Sequence, residues 1–169
     1  MTARLGLCVL FALCCCYTDV KSYRIPNRIV LTFALLALAL HGVQAGGAGV
    51  VRALGGFALA LPLFAFFALR MLGAGDVKAM MTVGLILGWP LALRGLLYSL
   101  LCAGGAALGV LLTRRNWRER MGRLWQWMKL CFYSRAPVPY GGWESSGHFR
   151  FSFGILAGAL VLAAEELLR

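Results

Sequence analysis

The sequence predicts an all-α integral membrane protein with about six transmembrane helices and one basic amphipathic helix lying in the interface. Three observations carry that expectation. Of 169 residues, 61 % are hydrophobic, mean hydropathy is +0.79, and only 14 % are charged, where soluble domains carry about a quarter. The apolar residues come in continuous runs of roughly 15 to 20 rather than at amphipathic spacing, which is the pattern of buried or lipid-facing helices. The polar residues are confined to a few short breaks between those runs. A single membrane domain over residues 1–169 follows, with no soluble domain of any size.

The first apolar run, 3–17, carries Arg4 ahead of a short apolar core, but no small-x-small cleavage site follows it. It is read as a retained first helix. A polar break at 19–28 contains Pro26, which disfavours helix at Ile25 and suits the first turn of the next helix. The second span is 29–43. A glycine-rich turn at 44–52 leads to the third span, 50–69, in which Pro62 is a candidate kink. The second polar break, 70–78, contains "GAGDVK". The fourth span is 79–93, with Arg94 marking a tight turn, and the fifth is 95–113, where Gly and Ala suit close packing in lipid. The cytoplasmic basic segment 114–150 opens with Trp117, Met121, Leu124, Trp125, Met128 and Phe132 at steps of three and four, its arginines mostly opposite. That is a helix for the plane of lipid headgroups. The last span is 151–168.

Six spans put the breaks at 19–28, 70–78 and 114–150 on one side. Arg4, Arg52, Arg94 and Arg169 fall on the other side, so 13 of the 17 basic residues share the first. The bias makes that side cytoplasmic. The same bias accounts for the net charge of +11 without nucleic acid as a partner. The six cysteines, Cys8, Cys14, Cys15, Cys16, Cys102 and Cys131, form no Cys-x-x-Cys pair, and His41 and His148 have no partners at ligand spacing. No metal and no cofactor are expected. The histidines read as ordinary boundary residues, and the cysteines as small apolar packing groups.

Of the six acids, Glu119 and Glu144 lie in the polar segment and Glu165 and Glu166 near the terminus, where none needs special explanation. Asp19 and Asp76 do, because a carboxylate at the edge of a bilayer must be hydrated, paired or protonated. Two spans separate them, so both fall on the same face at similar depth. Three readings fit the spacing. The aspartates pair with Lys21, Lys78 or Arg70 and fix loops. They relay protons in a small proton-coupled carrier. Or they form a carboxyl pair sharing one proton, which is the equipment of aspartic proteolysis. A non-catalytic assembly subunit would use them structurally. Gly73 and Gly75 permit close backbone approach beside Asp76.

"GAGDVK" (73–78) resembles the Gly-x-Gly-Asp-x-Lys motif of type IV prepilin peptidases, and "DVKSYRIPN" (19–27) resembles the first catalytic segment of that family, an Asp followed by Ile-Pro-Asn. The resemblance implies an aspartic endopeptidase of the bacterial inner membrane that removes the basic leader from prepilins or pseudopilins at the cytoplasmic face. It implies Asp19 and Asp76 as the catalytic pair, with Gly73, Gly75 and Lys78 supporting the second aspartate. Pro26 and Asn27 would shape the first loop. The implied partners are a precursor with a basic leader and an apolar helix, lipid headgroups, and pilus or secretion machinery. Longer members add a methyltransferase region carrying Cys-x-x-Cys pairs, so this chain resembles the short, peptidase-only members of tight-adherence (Flp) systems. One departure is visible. Family members often carry a Pro-Tyr-Gly-like segment at the start of the last helix, whereas here "PYGG" (139–142) lies several residues earlier and "RFSFG" takes its place.

Overall fold

A computed structural model describes residues 2–22, 25–69, 72–113, 122, 125–127, 129–130, 133 and 151–168. Six named helices form the described architecture: α1 (Thr2–Ser22), α2 (Asn27–Leu59), α3 (Leu63–Ala68), α4 (Ala74–Leu87), α5 (Leu91–Thr113) and α6 (Ser152–Leu168). No strand occurs among the described residues. Three stretches are long and apolar enough to cross a membrane: Thr2–Ser22, Asn27–Ala68 and Leu91–Val110. The protein is an all-α membrane protein.

The 42-residue stretch is not one rod. Inside α2, Ala45 (φ −149°, ψ 18°) and Gly46 (φ 57°, ψ −142°) leave the helical region. The positive φ at Gly46 suits a residue without a Cβ. A Cβ added to Gly49 would overlap the carbonyl oxygen of His41, eight residues earlier. The two limbs therefore turn back on each other, and the glycine-rich turn expected over 44–52 shrinks to two residues inside otherwise helical backbone. Pro62 acts as expected: α2 stops at Leu59 and Pro62 caps the short α3.

Two boundaries need correcting. Helix α1 runs past the expected end at 17 and through Asp19 to Ser22. Hydroxyls sustain it in the polar stretch: Thr18 Oγ1 donates to the carbonyl of Cys14 at 3.0 Å, and Ser22 Oγ donates to that of Thr18 at 2.9 Å. The fourth span ends at Leu87, not 93, because Gly88 takes φ 68° and closes the helix through its N–H to Gly84. The turn falls at 88–90, so Arg94 lies within α5. Its guanidinium bonds Glu166 Oε1 at 3.0 Å and lies 3.7 Å from Glu165. Tyr98 O–H also donates to Glu165 at 2.8 Å. The two glutamates that needed no explanation in the sequence thus tie α6 to α5.

Small residues set the packing, as helix association in lipid requires. Helices α2 and α4 meet where a Cβ on Gly56 would overlap the Gly84 carbonyl, and one on Gly84 would overlap that of Gly56. Helix α6 meets α5 at Gly158 against Ser99 and Gly154 against Ala103. Phe11 and Phe33 stack obliquely at 5.2 Å between α1 and α2. His41 is no boundary residue: it is fully buried, with Nε2 3.1 Å from the Ile86 carbonyl and its ring against Gly88.

These contacts sort the bundle into two ends. Arg4 with Gln44, Trp89 with Arg52, and Arg94 with Glu166 mark one end. Asp19, Asn27, Asp76, Lys78 and Ser152 lie at the other. The interfacial helix expected from 114 onward lies almost wholly outside the described residues. Within it, residues 125–127 and 129–130 are helical, and the Lys129 ammonium sits 5.7 Å from the Trp125 ring centroid.

Candidate active site

Asp19 sits in the last turn of α1, half-buried, because α1 keeps its helical hydrogen bonding through the polar stretch. Asp76 sits in the first turn of α4, ahead of that helix's apolar length. Gly73 caps α4 in extended conformation (φ −71°, ψ 146°), and its carbonyl accepts from the N–H groups of Asp76 (3.1 Å) and Val77 (3.2 Å). The two motif glycines have different work. A Cβ on Gly73 would stand 2.9 Å from Asp76 Oδ2, so that glycine makes room for the carboxyl. A Cβ on Gly75 would meet only Ile25, at 3.7 Å, an ordinary contact.

The two aspartates come from different helices, yet the charge of Asp19 reaches Asp76. Burial first and the charge of Asp19 second push the Asp76 carboxyl up to about 6, against the pull of a backbone hydrogen bond from Gly73. Among the described residues the salt bridges belong to Arg94, and neither aspartate is in one. Lys78, expected as a possible counter-ion, instead donates from Nζ to Asn27 Oδ1 at 3.1 Å. Lys21 lies 6.0 Å from the centroid of the Tyr17 ring. Arg70 lies outside the described residues. The loop-pairing reading therefore has no support from the lysines.

The Lys78–Asn27 bond joins the two sequence motifs directly, since Asn27 is the first residue of α2 and Pro26 its cap (φ −69°, ψ 135°). Pro26 stands at the cap rather than in the first turn and keeps Ile25 out of the helix. Ile25 then lies against Gly75 and completes the seam between the motifs.

One residue at the site escaped the sequence. Ser152, the first residue of α6, is fully buried and donates from Oγ to Asp19 Oδ2 at 2.5 Å. Its only signal was a lone hydroxyl between phenylalanines in "RFSFG". Among the described residues no group of three or more His, Cys, Asp or Glu gathers as a metal site would. Chemically, the arrangement offers two carboxyls with different surroundings at the end of a membrane bundle. Such a pair can take a proton at one oxygen and give one at another.

The model of the type IV leader peptidase family matches residues 6–109. That stretch contains both aspartates and both motifs, and it ends before Ser152. No curated protein and no solved structure matches the chain. With well over half of its length matched, and with both motif segments joined at one end of its helical bundle, the chain belongs to the type IV leader peptidase family.

Proposed function

We propose that this membrane peptidase is an aspartic endopeptidase that cleaves the N-terminal leader from prepilins or pseudopilins at the cytoplasmic face of a bacterial inner membrane. The observation that carries the reading is the placement of Asp19 and Asp76, brought from α1 and α4 to one end of the bundle, near enough for the charge of Asp19 to act on Asp76, and without a salt-bridged basic partner among the described residues. One carboxylate removes a proton from water as the oxygen attacks the scissile carbonyl. The other carboxyl donates its proton to the carbonyl oxygen, giving a neutral gem-diol. Collapse returns that proton to the second carboxyl, and the first gives its proton to the departing nitrogen. Both groups end as they began, so no cofactor or metal is needed.

The substrate that suits this site is an apolar helix with a basic leader, approaching from lipid with its cleavage point at the headgroups. The sorting of basic residues supports a cleavage point at the cytoplasmic side. Anionic headgroups hold the basic leader and the basic segment 114–150 near one another. Without Cys-x-x-Cys pairs in the sequence, the chain cleaves without methylating, in the manner of peptidase-only members of tight-adherence systems. The basic segment 114–150 is also the part of the chain that we assign to pilus or secretion machinery.

The test is cleavage of a co-expressed precursor, read by product mobility. Wild type is expected to cleave. Asp19→Asn and Asp76→Asn are each expected to insert normally and to lose at least about a thousandfold in rate. Full cleavage by either inserted variant would overturn the two-carboxyl reading.

A further inference from the structure

Ser152 is the one buried polar group at the candidate site that neither motif contains. Its surroundings are specific. The hydroxyl is fully buried, and its hydrogen bond to Asp19 Oδ2 spans 133 residues of sequence. Ser152 opens α6, a helix of 17 residues packed on α1, so the positive end of that helix comes to Asp19 together with the hydroxyl.

A hydroxyl that donates to a carboxyl oxygen favours the ionised form, and so does a helix N-terminus aimed at it. The environment of Asp76 is different. Its carboxyl is raised first by burial and then by the charge of Asp19, which means that it faces an anion. Helix ends also act in the opposite sense, because Asp19 is near the C-terminus of α1 and Asp76 near the N-terminus of α4. At Asp19 the N-terminus of α6 offsets the C-terminus of α1. For Asp76, burial is the largest cause and outweighs the cap. Among the described residues, Cys15 feels both aspartates and Cys16 feels Asp19, while Lys78 bonds Asn27 and Lys21 lies near the Tyr17 ring.

We infer that Ser152 is a positioning residue of the carboxyl pair: its hydroxyl holds Asp19 as the carboxylate that activates water, which leaves Asp76 to carry the proton given to the carbonyl oxygen. This rests on the two-carboxyl reading above and assigns the two roles within it. Asp19 takes the proton of the attacking water while its Oδ2 stays pinned by Ser152. Asp76 gives its proton to the oxyanion and recovers it on collapse.

Ser152→Ala removes the donor and adds no bulk, so the buried site can accept it. The expected result is kcat lower by about ten- to a hundredfold, the scale for losing a hydrogen bond to a charged group, with KM for the precursor unchanged. A purely structural serine would lower the amount of inserted enzyme and leave kcat per folded molecule intact. Infrared spectra of the purified wild type and variants supply a second readout that needs no substrate. About one pH unit below the Asp76 value of about 6, the band of a protonated carboxyl is expected in wild type, at reduced amplitude in Asp19→Asn because the raising charge is gone, and absent in Asp76→Asn. Wild-type kcat in Ser152→Ala, or a band that disappears with Asp19 instead, would overturn the inference. If Asp19→Asn and Asp76→Asn both still cleave, the two-carboxyl reading itself has failed. If they are dead and Ser152→Ala is normal, only the role of Ser152 has.

Discussion

Lys78 Nζ donates to Asn27 Oδ1 at 3.1 Å, which fastens the fifth residue of α4 to the first residue of α2. Fifty-one residues and a helical reversal separate the two in the chain. The bond is exposed, so it stabilises the fold little, by less than about 1 kcal/mol. Its effect is on where Asp76 stands relative to the first loop. Lys78→Met and Asn27→Ala are expected to leave the thermal midpoint almost unchanged while each lowers cleavage by about three- to tenfold. The double variant should be no worse than the worse single one. Independent, multiplying losses in the double-mutant cycle would show that the contact does not matter.

The two glycines of "GAGDVK" should separate under alanine substitution. Gly73→Ala brings a Cβ to 2.9 Å from Asp76 Oδ2 and must turn the carboxyl away, so a loss of about a hundredfold in kcat is expected. Gly75→Ala lies in the first turn of α4 and meets Ile25 at an ordinary 3.7 Å. It should cleave within about twofold of wild type and gain up to about 1 kcal/mol from helix propensity. The reverse order of effects would mean that the room beside Asp76 has been assigned to the wrong residue.

Asp76 gives the protein a pH dependence whose sign can be worked out. Its carboxyl titrates at about 6 in the fold against 3.8 for the unperturbed group, raised by burial and then by Asp19. Folding therefore favours the protonated form. No penalty exists below 3.8, and stability is lost as pH rises through about 6. After discounting for the part of the side chain that meets solvent, the loss is about 1–2 kcal/mol. Asp76→Asn should raise the thermal midpoint at about pH 8 and leave it near wild type at about pH 4. In the active enzyme, cleavage should fall as pH rises above about 6, because the acid empties. A midpoint gain that is equal at both pH values would rule out this origin.

At the crossing of α2 and α4 the backbones touch, because a Cβ on Gly56 would overlap the Gly84 carbonyl. Gly56→Ala and Gly84→Ala are expected to cost about 2–4 kcal/mol each, by forcing the helices apart. Gly104→Ala on α5, with nothing within 4 Å of the added atom, is the matched control and should be neutral. Thermal unfolding in detergent distinguishes the two classes. Equal midpoints would remove the crossing as the source of rigidity between the motif-bearing helices.

The sequence made the helices legible because lipid imposes long apolar runs, and both motif segments were visible as polar breaks between them. Helix ends were less legible. Whether Asp19 ended a helix or began a loop depended on hydroxyls at Thr18 and Ser22 bonding back to carbonyls, a choice that hydropathy does not encode. Arg94 was misplaced because the stop signal was one glycine at positive φ, six residues upstream. His41, Glu165 and Ser152 were misread or missed for a common reason. Each takes its meaning from a partner on another helix, Ile86, Arg94 or Asp19, and such pairings follow from packing rather than from local pattern.

The 133-residue span between Asp19 and Ser152 also bears on when the protein becomes competent, as well as how. A ribosome delivers α1 to the membrane first and α6 after all the other described helices. Until α6 docks, Asp19 lacks both its buried hydroxyl and the helix end that faces it. No nascent chain that stops short of α6 contains the complete arrangement, so on the two-carboxyl reading a half-made chain at the translocon works at a reduced rate. Order of synthesis thereby delays full competence until the last of the described helices arrives.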